Sequence, residues 1–342
     1  MVRSTLLVLG LTLLFTGCDN KATKPEVELP KSIHAPAIAP VDPAEEHVVR
    51  IVEDLGGQVV RDEQIPGNPV VELNLLFKPL TDAGLKELSA LKKLRALNLG
   101  HTKVTDKGLK ELAGLTHLRM LDLSQTAVTD AGLKELVALK DLRKLNLGET
   151  KVTDAGLKEL APLGQIETLE LGSTKITDAG LKELGSHKHL EKLALDHTAV
   201  TDAALHELTA LPQLHWLILW KTNVDDAGLT QLAELKQLHR LDLSFTQTTD
   251  SGLRQLRGLK ELWNLNLCGT KATDAGLKEL AELKQLQTLN LNETLMTDTG
   301  LKELAKFAQL QALLLYNTHA TAAGIAELKK ALPNCKVFEN AK

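Results

Sequence analysis

The chain has 342 residues and a formal charge of −4; 43% of its residues are apolar and only 3% aromatic. So mild an acidic excess leaves no electrostatic footprint for nucleic acid and no polybasic patch for an anionic membrane surface. With so few aromatics the core must be built from Leu, and the length suits two or three domains unless the chain is a repeat array in which each coil adds its own slice of core.

The first element is a processing segment. Arg3 precedes an apolar stretch from Leu6 to Phe15. It is shorter than the roughly 18 apolar residues a transmembrane helix takes, so residues 1–17 are expected to be a signal peptide. The run Leu14-Phe15-Thr16-Gly17-Cys18 resembles a bacterial lipoprotein box, which makes Cys18 the expected site of lipidation and the chain an exported, membrane-anchored lipoprotein facing the periplasm or cell surface. An ordinary secretory leader with an incidental Cys is the other reading. Residues 18–43 are polar and carry Pro25, Pro30, Pro36, Pro40 and Pro43, the composition of an extended tether.

Next comes an expected N-terminal cap, residues 44–67. Val48, Ile51, Val52 and Leu55 have helical spacing, Gly56-Gly57 ends the helix, Gln58 to Arg61 reads as a short strand and Pro66-Gly67 as a turn. From 68 to 326 the framework LxxLxLxxTxVTDAGLKEL returns about eleven times at a spacing of 24 residues, and a period in that range marks a solenoid. Its Asp stands at Asp82, Asp106, Asp130, Asp154, Asp178, Asp202, Asp226, Asp250, Asp274 and Asp298, with Ala322 in the eleventh turn. In the second coil Leu97 and Leu99 alternate inward around Asn98, the same short strand in each coil gives a parallel ladder, and Leu109, Leu112 and Leu115 form one stripe of a short helix. The Leu97 and Leu99 columns are Leu in every coil, whereas columns 96, 98 and 100 are expected to face solvent and vary. The Asp106 column, with Thr105, is expected to cap the helix N-terminus rather than to bind calcium. The Gly108 column, filled once by Ala204, is expected to mark close packing of helix against strand. Residues 327–342 read as a C-terminal cap. Cys268 and Cys335 fall three strands apart, about 14 Å, too far for a disulfide.

These repeats resemble leucine-rich repeats, in the TDAGLKEL variety of secreted planctomycete-type proteins. The resemblance implies an α/β repeat solenoid, a horseshoe with parallel strands on the concave face and short helices on the convex face, and a concave surface that commonly binds proteins. The Asn that in the family follows LxLxx is Thr here, as at Thr102, Thr126 and Thr150, so the ladder it makes between coils should carry fewer bonds. Similar repeats occur in F-box adaptors, but no F-box precedes them here.

Catalytic constellations are weak. Asp196, His197 and His215 with Ser244 one coil on form an imaginable triad, and His187, His189 or the pair His215 and His239 an imaginable metal site without a third ligand. Ordinary surface polarity accounts for both, and no phosphate-binding Gly loop is present. The expectation is no enzyme, no cofactor and no metal. The strand His215 to Trp220 is different. Its outward set is Trp216, Ile218 and Trp220, with Lys192 and Asp196 on one side and Arg240, Asp242 and Phe245 on the other. An exposed apolar strip with a charged rim, anchored by Trp, has the make-up of a binding site for a protein or peptide, or for a glycan stacking on the indoles. The other reading is drift in an unconstrained column, with the rings lying over neighbouring coils.

Overall fold

A computed structural model describes residues 42–340; the expected leader, Cys18 and nearly all of the Pro-rich tether lie outside them. One sheet of 13 strands runs in strict chain order. Its members are β1 (Gln58–Arg61), β2 (Val70–Asn74), β3 (Ala96–Asn98), β4 (Met120–Asp122), β5 (Lys144–Asn146), β6 (Thr168–Glu170), β7 (Lys192–Ala194), β8 (Trp216–Ile218), β9 (Arg240–Asp242), β10 (Asn264–Asn266), β11 (Thr288–Asn290), β12 (Ala312–Leu314) and β13 (Lys336–Phe338). Strands β1 and β2 pair antiparallel; every later pair is parallel. From β2 to β13 each pairing steps by the 24-residue period, as in Leu145 opposite Leu169 opposite Leu193. Identical inward Leu therefore stack in a column, and Leu169, Leu193 and Leu217 are wholly buried.

A helix and a strand precede the first coil. Helix α1 (Pro43–Asp54) starts at Asp42, whose carboxylate accepts from Ala44 N at 2.8 Å, and it buries Val48, Val49 and Val52. Buried Glu45 accepts from Val70 N at 3.0 Å, and Arg61 pairs with Glu46 at 2.6 Å, fastening α1 to the first two strands. Opposite the sheet, every coil from Asp82 onward carries a short helix, such as Asp154–Leu160 and Asp274–Leu280. No helix among the described residues is long and apolar enough to cross a membrane.

Three columns behave differently from the sequence expectation. The Asp does not cap its own helix. Thr is the N-cap, and the Asp one residue later turns to the next coil. There Asp106 Oδ1 accepts from Thr129 N and Oδ2 from Thr129 Oγ1, both at 2.7 Å. The same rung joins Asp82 to Thr105, Asp130 to Thr153, Asp154 to Thr177 and so on to Asp298 and Thr321. Ala322 stands in the Asp position of the last helix among the described residues, and the series of rungs stops there.

The Gly108 column is explained by those rungs. A Cβ on Gly108 would stand 2.5 Å from the carboxylate of Asp82, so the close neighbour is the preceding coil's Asp rather than the strand. Where Ala204 replaces Gly, the segment Asp202–Ala210 is a 3-10 helix along its whole length. The Thr102 column forms no ladder between coils. Thr102 Oγ1 donates to Leu99 O at 2.7 Å within its own coil, and Thr126, Thr150 and Thr174 do likewise.

Candidate functional site

The concave surface is shaped by the backbone at each strand exit. Column 101 is left-handed in coil after coil: His101, Gln125, Glu149, Ser173, His197, Lys221 and Phe245 have φ between 52° and 56°, and only Gly269 is glycine. Such a backbone costs an L-residue about 1–2 kcal/mol. It persists because each amide there donates to the next coil, as in His197 N to Trp220 O at 2.8 Å and Lys221 N to Ser244 O at 3.0 Å. Column 98 does not vary as freely as expected. It is Asn or Asp at Asn74, Asn98, Asp122, Asn146, Asp242, Asn266 and Asn290, and each side chain accepts from the amide two residues on. This local turn ties down the strand exit. It fails in three consecutive coils, where Glu170, Ala194 and Ile218 stand instead, and again at Leu314 near the end of the array. The amides of Gly172 and Trp220 then have no acceptor among the described residues, and that of Asp196 is faced only by its own carboxylate.

The aromatic strip lies on that interruption. Trp216, Ile218 and Trp220 do line one side of β8 and its exit, but all three are half-buried rather than an exposed apolar strip. Lys192 Nζ from the preceding strand lies 4.2 Å from the Trp216 ring centroid, and Arg240 Cζ from the following strand lies 4.6 Å from it. Arg240 is also 4.3 Å from Trp263, the remaining Trp of the chain. Glu170 accepts from Lys192 at 2.6 Å, so an ordered row runs Glu170, Lys192, Trp216, Arg240, Trp263 across five coils. Trp220 meets His197 edge-on at 4.3 Å, with Lys221 at 5.2 Å. Phe245 is exposed and shares Lys221. Asp196 leans over Gly172; burial raises its pKa first, with Glu170 and Asp242 adding to the rise. Sequence reading placed Lys192 and Arg240 beside Trp216 but missed Trp263, which stands one position before the strand in a column filled from Arg95 to Gln311 by Arg, Glu, His and Gln otherwise.

A second hollow of about 430 Å3 lies on the strand face over β1 to β6, among Val60, Ala96, Met120, Asp122 and Lys144. Met120 is 45% exposed there.

The imagined catalytic and metal groupings do not assemble. Ser244 Oγ donates to Asp242 rather than to a histidine, His197 packs on Trp220, and His215 Nδ1 lies 3.0 Å from Gln213 O. His187 is wholly buried while His189 is exposed, so the two point to opposite sides. The His215 and His239 rings are 5.5 Å apart, and among the described residues no cluster of three metal-ligating side chains occurs. Cys268 and Cys335 are free thiols.

Residues 90–113, 114–137, 138–161 and 166–185 match the family model described as Leucine Rich repeat. The remaining coils continue the same geometry without a break in register. The fold is a leucine-rich-repeat solenoid. Among solved structures, an internalin from Listeria monocytogenes is similar at 20% identity over 90% of this chain and 99% of that one, with a TM-score of 0.58. A leucine-rich-repeat protein from Leptospira interrogans is 23% identical over 74% of each chain, with a TM-score of 0.45. No curated protein matches the chain. On this leucine-rich-repeat frame the row of Glu170 to Trp263 is the feature that departs most from the repeat.

Proposed function

We propose that this protein is a non-enzymatic scaffold of the cell envelope, exported and anchored through a lipid on Cys18, that binds a protein or peptide on its concave face around Trp216 and Trp220. One observation carries the concave-site reading. Of the coils that lack the Asx turn, the adjacent pair with Ala194 and Ile218 hold Trp216, Trp220, Lys192 and Lys221. A half-buried amide without an acceptor costs free energy, which an acceptor brought by a partner recovers. Trp and Arg in a partly desolvated row are typical of interface hot spots. The glycan reading is weaker, because stacking on a sugar takes an open aromatic face and Trp216 has Lys192 and Arg240 against its ring.

The test is covalent capture of partners in native cells, comparing the parent with Trp216→Ala, Trp220→Ala and the double variant. Each truncation is expected to weaken binding by about 2 kcal/mol or more. A partner held equally well by the double variant would move the site to the convex helices or the N-terminal cap. The anchor is tested separately. Cys18→Ser should release the chain from the membrane fraction, since stable attachment takes two or more acyl chains.

A further inference from the structure

Arg240 has an unusual environment for an arginine. Its guanidinium lies between two indoles, 4.6 Å from the centroid of Trp216 and 4.3 Å from that of Trp263. Stacking of this kind covers the planar faces and leaves the in-plane N–H donors at the edge. Among the described residues those donors make no hydrogen bond and no ion pair, although the side chain is half-buried. Elsewhere on the same sheet side Lys192 is engaged by Glu170, Arg143 by Glu167 and Arg95 by Asp62, while Arg119, Lys144 and Lys221, which have no such partner among the described residues, are exposed to solvent. Arg240 also lines a hollow of about 160 Å3, together with Trp216, Ile218, Asp242, Asn264 and Asn266. Asn264 also has a side-chain amide with no hydrogen bond among the described residues. The one carboxylate in the lining, Asp242, is already committed. Its Oδ1 accepts from Ser244 N at 2.8 Å and from Ser244 Oγ, and its Oδ2 from Asn266 Nδ2 at 2.9 Å.

We propose that Arg240, held between Trp216 and Trp263, is a carboxylate-binding fork, and that the ligand presents a carboxylate to it with an apolar neighbour against Ile218 and Trp216. The proposal rests on the concave-face reading and names the chemistry recognised there. A guanidinium edge matches a carboxylate with two parallel N–H bonds. Stacking between two rings fixes the guanidinium beforehand, so little side-chain freedom is lost on binding. Asn264 supplies a further donor from the next strand. The hollow is small, which limits the group it admits to a carboxylate and its nearest carbons: the end of a Glu or Asp side chain, or the C-terminus of a peptide.

The experiment uses the purified full-length chain and three probes. N-acetyl-Leu-Glu-amide carries one side-chain carboxylate, N-acetyl-Gln-Leu one terminal carboxylate, and N-acetyl-Leu-Gln-amide none. Binding is read by Trp fluorescence, since two of the three Trp flank Arg240, and by the Nε–H resonance of Arg240 in a nitrogen–proton correlation spectrum. One or both carboxylate probes should bind saturably and shift that resonance, and which of them binds identifies the source of the carboxylate. The amide probe should do neither. Arg240→Lys keeps the charge but loses the fork, and should weaken binding about tenfold or more; Arg240→Gln should abolish it. Circular dichroism melting of each variant separates lost binding from lost folding, and Asn264→Ala gives a smaller loss in a variant that leaves the stack intact. Equal binding of the Gln and Glu probes, retained binding by a folded Arg240→Gln chain, or no saturation by either carboxylate probe would overturn the fork. Capture of a partner through Trp216 and Trp220 would then still stand, whereas failure of that capture with an intact fork would overturn the partner reading instead.

Discussion

His187 occupies a core position that is Leu in nearly every other coil, among them Leu163, Leu211 and Leu235, and Phe307 near the end. It is wholly buried, its Nδ1 lies 3.1 Å from Ser186 Oγ, and its Nε2 has no partner. Burial lowers its pKa from the ordinary 6.5. The unfolded chain therefore takes up the proton first, and stability is lost as pH falls below about 6.5 toward the depressed folded value. His187→Leu should raise stability by about 1–3 kcal/mol at neutral pH by removing the orphaned nitrogen, and by more at lower pH. Denaturant melts at two pH values check both parts; an unchanged pH dependence would show that His187 is hydrated. Leu169 tests the strand register at the same scale. It is wholly buried on β6, and Leu169→Ala should cost about 2–5 kcal/mol. Its neighbour Glu170 faces outward to Lys192, so Glu170→Ala should cost about 1 kcal/mol or less.

Between neighbouring helices the Asp-to-Thr rung and the Gly beneath it form one device. The Asp154 carboxylate accepts from Thr177 N and Oγ1 while lying over Gly180, where a Cβ would collide with it. Asp154→Ala should cost about 1–3 kcal/mol. Gly180→Ala should also destabilise, but the double variant should be more stable than the two losses summed, because the methyl then fills the space the carboxylate left. Strict additivity in a double-mutant cycle would refute this coupling. The chain contains one natural defect of this kind. Asp225 replaces the receiving Thr, so Asp202 keeps the backbone bond from Asp225 N at 2.9 Å but loses the hydroxyl donor and faces a second carboxylate instead. Desolvation first, then the neighbouring Asp225, raises the Asp202 pKa. A raised carboxylate pKa favours the folded state at low pH, and that contribution is lost as pH rises through the folded value. Asp225→Thr should therefore stabilise the chain more at pH 7 than near pH 4, measured as a shift in melting temperature.

Across the whole molecule the departures from the repeat gather in one region. His187, Ala194, Ala204, Trp216, Ile218, Trp220 and Asp225 fall within two consecutive coils, which hold the all-3-10 helix on the convex side and, at Ala194 and Ile218, two of the interrupted Asx turns on the concave side. Each coil contacts mainly its neighbours, so solenoid stability is a sum of local terms and a weakened coil need not unfold the rest. Hydrogen exchange is expected to find its fastest-opening backbone between about Gly185 and Asp226. Uniform protection from β3 to β12 would contradict this. A binding partner spanning these coils would slow exchange there more than elsewhere.

The period and the Leu columns by themselves determine the solenoid, because a 24-residue step fixes the strand register and alternation fixes which side chains point inward. Column 98 was also legible as a run of Asn and Asp broken at Glu170, Ala194, Ile218 and Leu314, although its role needed the amide two residues on. Tertiary structure alone decided the rest. The bond between Asp106 and Thr129 spans 23 residues, and local capping chemistry is an equally good account of the same letters until the next coil is in place. The left-handed column at His197 carries almost no glycine signal, because inter-coil hydrogen bonds, not residue type, hold it. Alternation put Trp216 and Arg240 on one surface, but only the curvature and spacing of neighbouring strands determined that the guanidinium slides between two indoles. In the sequence these residues read as an exposed apolar strip with a rim; packing across the strands made them a half-buried row with one free edge.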